Sequence, residues 1–177
     1  DQQLHIPQTA LQSYNELAWS GGGSLDVAVA SLAAGLGAND FVISYVMHPE
    51  SISGNPRFLA FNTSGTGRVV HKIESDGTLL TYAEDNNANS VSFLDASSSG
   101  AIVPGETYHI IEVFDRTADL ITTYINGVAS GTTIDISSLN GSIACDGNLN
   151  FYTYGTDFWQ GFITEVALWK NTKLDSH

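Results

Sequence analysis

Two stretches of the chain gather the side chains that sugar recognition needs. Residues 151–159 read Phe-Tyr-Thr-Tyr-Gly-Thr-Asp-Phe-Trp, which sets aromatic rings, an acid and a glycine side by side. Aromatic faces stack on pyranose C–H surfaces, while acids, amides and backbone groups bind hydroxyls. Residues 82–89, Tyr-Ala-Glu-Asp-Asn-Asn-Ala-Asn, add side-chain oxygens at short spacing, the donor type that Ca²⁺ takes. The expected ligand-binding residues are therefore Tyr82, Asp85, Asn87, Tyr152, Tyr154, Asp157 and Trp159, and the expected Ca²⁺ ligands are Asp85, Asn87 and Asp157. The competing reading assigns half of these rings to the core and makes 85–89 a solvated loop. Arg57 and Arg68 suit acidic sugars, or else pair with acids on neighbouring strands.

Catalytic chemistry is less well supplied. Glycosidases need two carboxylates held a few ångströms apart about the scissile bond, and no Glu-x-Asp-x-x-Glu arrangement occurs. Glu112 is a lone acid between Ile111 and Val113, placed either on a groove, where it binds sugar hydroxyls, or on a solvent-facing strand position. His5, His48, His71, His109 and His177 show no metal-binding spacing. No Gly-x-Ser-x-Gly elbow is present, and the Gly-rich stretches precede no helix that would cradle phosphate. The chain is expected not to be an enzyme.

What must position these residues follows from composition. Only 14% of the 177 residues are charged, and 17 Gly accompany many Ser, Thr and Asn. That is the make-up of short strands joined by turns, not of a helical bundle. Six Lys plus Arg stand against 19 Asp plus Glu, a net charge of −13. Such a chain repels phosphate, which excludes nucleic acid and anionic membranes as partners. A single cysteine, Cys145, forbids an intrachain disulfide and reads as a small buried hydrophobe, or in a secreted setting as a reactive or interchain-pairing thiol. No apolar run reaches the length of a membrane span, so no membrane insertion is expected.

Alternation with period two marks the strands. Leu25, Val27 and Val29 alternate with small or polar residues, and Phe41, Ile43, Tyr45 and Met47 share one face of a strand that Pro49 is expected to end. Residues 57–61 and 68–73 flank a Gly-rich turn, and Ser75-Asp76-Gly77-Thr78 leads into a strand from Leu79. Residues 84–89 form a long polar loop, residues 108–114 and 120–125 a strand pair, and Asn126-Gly127 a type I′ turn. Strands over 149–154 and 162–169 complete about a dozen, the spacing of a β-sandwich. Residues 1–24 read as a connecting segment with a first strand, and 25–177 as a single sandwich domain excised from a larger protein.

Tyr108-His109-Ile110-Ile111, with Asp115, Leu120 and Tyr124-Ile125-Asn126-Gly127-Val128, resembles the hallmark hairpin of concanavalin A-like domains, the laminin-G-like and pentraxin-like modules among them. Gly161-Phe162-Ile163-Thr164-Glu165-Val166-Ala167-Leu168-Trp169 resembles their closing strand. The resemblance implies an all-β fold, a two-sheet antiparallel jelly-roll sandwich, and a structural role for Glu165. It does not bring the pentraxin disulfide, because both cysteines are absent from the strands that hold Ser44 and Ile111 here, nor the pentraxin double-calcium loops. Taken together, the residues and the resemblance lead to a non-catalytic carbohydrate- or receptor-binding module of a surface-exposed protein, such as a phage spike, a tail fibre or a bacterial adhesin. Stabilisation by Ca²⁺ is expected, and the location is extracellular, on a cell or virion surface. Partners would be a cell-surface glycan or receptor and other chains or domains of the parent assembly. The alternatives are a structural interaction domain or a polysaccharide lyase or glycosidase.

Overall fold

The computed structural model describes residues 25–28, 36–61, 67–143, 148–151, 153–154 and 157–171, with the backbone alone at 25–28, 148–149, 153–154 and 157–158. Thirteen strands and no helix occur among the described residues. They are β1 (Leu25–Ala28), β2 (Phe41–Ser51), β3 (Arg57–Phe61), β4 (Arg68–Ile73), β5 (Leu79–Glu84), β6 (Ser90–Asp95) and β7 (Tyr108–Asp115). The series continues with β8 (Leu120–Ile125), β9 (Val128–Asp135), β10 (Asn148–Phe151), β11 (Thr153–Tyr154), β12 (Asp157–Phe158) and β13 (Gln160–Lys170). A six-stranded sheet has the order β1-β10-β3-β4-β5-β6, a five-stranded sheet the order β13-β2-β7-β8-β9, and β11-β12 form a separate ribbon. Every pairing is antiparallel.

The core lies between the two sheets. Phe41, Ile43, Tyr45 and Met47 of β2 are fully buried on one face, as their spacing predicts, with Ile110, Phe114 and Ile121 beside them. From the six-stranded sheet, Leu59, Phe61, Val69, Ile73, Leu79 and Ala83 meet them. Phe41 stands opposite Phe114 in the ladder, and their rings stack with centroids 4.2 Å apart. Each such side chain contributes about 1.5–3 kcal/mol on burial. Asn126 and Gly127 both take positive φ, 51° and 80°, and close the β8–β9 hairpin as a type I′ turn requires.

Three elements differ from the sequence reading. Strand β2 runs through Pro49 to Ser51: the missing N–H is accommodated where β13 shifts register between Gln160 and Gly161, and the Pro49 carbonyl accepts from Gly105 N at 2.7 Å. The polar loop is shorter than expected, since β5 takes in Glu84 and β6 starts at Ser90. Strand β6, edge of the six-stranded sheet, is an additional element whose Val91 alone is buried. At the opposite edge of the fold, β13 is interrupted a second time between Thr164 and Ala167, where Glu165 adopts φ 52°.

Candidate functional site

The turn after β5 is built by hydrogen bonds that its own sequence supplies. The Asp85 carboxylate is buried, and its Oδ1 accepts from the backbone N–H groups of Asn87 (2.9 Å) and Asn89 (3.0 Å). Its Oδ2 accepts from Gly141 N at 2.7 Å and from Asn89 Nδ2 at 3.0 Å. Burial works to raise the carboxyl pKa, but these donors outweigh it and hold Asp85 below the ordinary carboxylate range. Asn87 Nδ2 and Asn89 Nδ2 both donate to Asn140 Oδ1, and Asn86 pairs with Ser142 through backbone and side chain. A Cβ on Gly141 would lie 2.3 Å from Asn86 Oδ1 and 2.8 Å from Asn87 Nδ2, so a larger residue there would displace these side chains from the latch. Behind it, Arg116 Nη2 donates to the carbonyls of Leu139 (2.6 Å) and Gly141 (3.0 Å).

Asp85 is therefore the centre of a latch between residues 85–89 and 139–142. A Ca²⁺ ion needs six to eight oxygens, several of them carboxylate. Asp85 already shares both oxygens among N–H donors, and no group of three or more His, Cys, Asp or Glu gathers among the described residues. The described environment of Asp85 and Asn87 does not fit that ion.

The aromatic stretch divides differently. Tyr152 lies outside the described residues. Tyr154 and Asp157 pair across the β11–β12 ribbon, but their side chains lie outside the description. Trp159, expected on the binding rim, is 2% exposed and packs on Phe58 with ring centroids 5.1 Å apart, so it offers no face to a ligand. Cys145 is also outside the described residues.

The outward face of the six-stranded sheet is where cations and rings converge. On β4, Val69, His71 and Ile73 point inward, which turns Arg68, Val70 and Lys72 outward; on β5, Tyr82 faces outward between buried Thr81 and Ala83. Tyr82 packs on Phe93 of β6 at 5.5 Å, and the Arg68 guanidinium lies 5.1 Å from the Tyr82 ring. Arg57 and Lys72 lie 5.0 and 5.6 Å from the Phe93 centroid. Arg68 Nε donates to Glu84 Oε2 at 2.9 Å, where the Tyr82 hydroxyl also donates at 2.7 Å, and Lys72 pairs with Glu74 at 2.7 Å. Of the expected ligand residues whose side chains are described, this face holds Tyr82 alone. Lys72 and Phe93 were not singled out from the sequence, although Ser90–Asp95 follows a polar–apolar alternation that marks a strand.

Residues 20–176 match the profile of the Concanavalin A-like lectin/glucanases superfamily. The chain belongs to that superfamily. No curated protein matches it in sequence. Among solved structures it is similar to the Ruminococcus gnavus IT-sialidase CBM40, solved alone and bound to α2,3-sialyllactose, with 14% identity and TM-score 0.67 over 92% of this chain and 93% of that one. It is also similar to the binding domain of botulinum neurotoxin serotype D (14% identity, TM-score 0.67, 91% of this chain and 40% of that one). The heptameric SAP-like pentraxin of Limulus polyphemus follows at 16% identity and TM-score 0.55, over 78% and 67% of the two chains. At these identities the likeness is one of fold.

This concanavalin A-like sandwich carries one more polar cluster, in its interior. Tyr108, Ile110, Glu112 and Phe114 alternate inward along β7, so Glu112 faces the core and not a groove or solvent. Its Oε2 accepts from His71 Nε2 of the opposite sheet, and its Oε1 accepts from Thr81 Oγ1 at 2.5 Å. The Tyr45 ring lies 5.3 Å from the His71 ring; burial, with the Glu112 charge adding to it, pushes the Tyr45 phenol well above its ordinary pKa. His71 and Glu112 are both fully buried, so the pair staples one sheet to the other and has no path to a substrate.

Proposed function

We propose that this chain is a non-catalytic glycan-binding module whose site is the outward face of the six-stranded sheet. One observation carries the reading: three of the chain's six Lys and Arg, namely Arg57, Arg68 and Lys72, lie against Tyr82 and Phe93 on this one face. Rings supply a stacking surface for a pyranose, and the flanking Arg68–Glu84 and Lys72–Glu74 pairs supply the donors and acceptors that its hydroxyls require. The fold it shares with a sialidase CBM40 solved on a sialyllactose favours the same reading. A parent such as a phage spike, tail fibre or bacterial adhesin, displayed outside a cell or on a virion, suits an acidic module of this kind. Calcium belongs to the proposal as a stabilising ion held away from the Asp85 latch, with Asp157 among its ligands.

A glycan array probed with the domain, with and without EDTA, tests this. Binding should be specific and should vanish in Phe93→Ala and Tyr82→Ala; silence on a broad array removes the reading. A melting temperature unmoved by millimolar Ca²⁺ removes the ion.

A second reading, an interaction domain seated against another chain or domain of its assembly, is favoured by the outward face of the five-stranded sheet. Its central rows, Phe162–His48, Thr164–Val46–His109 and Ala167–Ser44–Ile111–Tyr124, contain no Asp, Glu, Lys or Arg. Replacing Val46 and Ile111 by Lys separates the two: it leaves glycan binding intact and abolishes assembly with the parent chain.

A further inference from the structure

We infer that Asn126 is a site of spontaneous modification, losing its side-chain amide to become aspartate or isoaspartate, while Asn140 is protected from the same reaction by the Asp85 latch. Each of these residues precedes a glycine, and they are the chain's two Asn-Gly pairs. In the reaction the glycine N–H gives its proton to hydroxide, and the nitrogen attacks the asparagine Cγ. The new N–C bond closes a succinimide ring; the Cγ–Nδ2 bond breaks, and ammonia leaves after taking a proton from water. Water then opens the ring at either carbonyl, giving aspartate or a backbone rerouted through the side chain. Nothing is oxidised or reduced, and water and hydroxide are the only reagents. Glycine permits the attack because no Cβ obstructs its nitrogen.

The side-chain oxygens do not separate the two sites. Asn126 Oδ1 accepts from His109 N at 2.8 Å, and Asn140 Oδ1 accepts from Asn87 and Asn89 Nδ2 at 2.9 and 3.0 Å. Such donors leave Cγ open and stabilise the oxyanion that forms when it is attacked. The nucleophile separates them. Gly127 N–H has no hydrogen-bond partner among the described residues, Asn126 and Gly127 are both exposed, and a Cβ on Gly127 would meet nothing within 4 Å. Gly141 is buried; its N–H is donated to Asp85 Oδ2 at 2.7 Å, and its carbonyl accepts from Arg116 Nη2 at 3.0 Å. A Cβ there would lie 3.1 Å from Asp85 Oδ2 and closer still to Asn86, so the peptide unit lacks room to swing toward Cγ. Against the pull of burial, its N–H donors hold Asp85 below the ordinary carboxylate range, which makes it a poor base for that proton.

The products act on one hairpin. Asn126 and Gly127 join β8 to β9, with Ile125 facing Val128 and Tyr124 facing Ala129. Aspartate keeps this turn and adds a charge at its tip. Isoaspartate lengthens the backbone by a carbon between the two left-handed residues, so the type I′ turn no longer closes in register. It also withdraws the acceptor of His109 N–H. Strand β9 is an edge of the five-stranded sheet among the described strands, so the end of one edge strand loosens while the core stays packed. His109 Nε2 lies 2.8 Å from Ser44 Oγ on the outward face of that sheet, which makes this face the one that changes as the molecule ages.

Peptide mass mapping over time decides it, with the intact domain held in warm, mildly alkaline buffer beside a sample unfolded in guanidinium chloride. Unfolded, the two sites should convert at similar rates, because the reacting dipeptide is the same. Folded, the peptide carrying Asn126 should convert at least about tenfold faster than the one carrying Asn140, whose reaction waits on opening of the latch. Asp85→Ala should then speed conversion at Asn140 by about tenfold in the folded domain and leave Asn126 unchanged, with circular dichroism showing that the variant stays folded. Equal rates at the two sites of the folded domain, or faster conversion at Asn140, overturns the inference without any variant. Protection of Asn140 that survives Asp85→Ala overturns the role given to the latch.

Discussion

Strands β4 and β5 present two polar clusters on opposite faces, one residue apart in sequence. His71 and Thr81 turn inward to Glu112; Lys72 and Tyr82 turn outward to Glu74, Glu84 and Phe93. Both clusters join an acid to a nitrogen base, yet they differ in what their partners could do instead. On the outer face solvent reaches Arg68, 39% exposed against 12% for Glu84, so water and salt weaken the Arg68–Glu84 pair. Inside, no solvent replaces a lost partner, so the Glu112 bonds are costly to break and fix how one sheet sits on the other.

The largest effect should come from the interior. Glu112→Ala strands His71 and Thr81 without their acceptor and opens a void, at a cost of about 3–5 kcal/mol by urea unfolding. Replacing both members, His71→Leu with Glu112→Leu, should cost much less than that single change, because no buried polar group is left facing its lost partner. If the double substitution is as damaging as Glu112→Ala, the staple is not what distinguishes the two faces.

Next comes the latch just beyond β5. Asp85→Ala leaves the N–H groups of Asn87, Asn89 and Gly141 without their acceptor and should cost roughly 2 kcal/mol. It also gives a pH signature. The folded carboxyl is held below its unfolded value, so its contribution is complete above about pH 4 and is lost as pH falls through the depressed folded value. Unfolding midpoints of the intact protein and of Asp85→Asn, measured from pH 7 to pH 2, should converge in that acid range.

The smallest effect belongs to the outer pair. Glu84→Gln should change stability by less than about 1 kcal/mol, and by less still in high salt. A larger, salt-insensitive loss would mean that this face resembles the interior more than it resembles a surface.

Much of this arrangement is legible in the sequence. The inward set Phe41, Ile43, Tyr45 and Met47, the Asn126-Gly127 turn and the closing strand follow from period-two spacing and turn chemistry. Glu112 could be read as well: it is in phase with Ile110 and Phe114, and an acid in that phase must be buried with a partner. What spacing does not supply is the partner, because His71 is 41 residues away and on the other sheet. The same limit explains the candidate site. Tyr82 shows its outward face only once β6 brings Phe93 beside it, and Asp85 looks like an open ion ligand until Gly141, 56 residues later, fills its oxygen. Trp159 carries the composition of a binding rim, yet it follows the β12 strand into the core, where its large apolar area is worth more.

The interruption at Glu165 has its consequence beyond the single molecule. Strand β13 is eleven residues long and forms an edge of the five-stranded sheet among the described strands. An uninterrupted edge of that length is a template on which a strand from a neighbouring molecule can dock and grow. The left-handed turn of Glu165 divides the regular pairing into Gly161 to Thr164 and Ala167 to Lys170, and it leaves an exposed carboxylate at the break. A broken ladder with a charge at the break discourages such edge-to-edge docking between molecules.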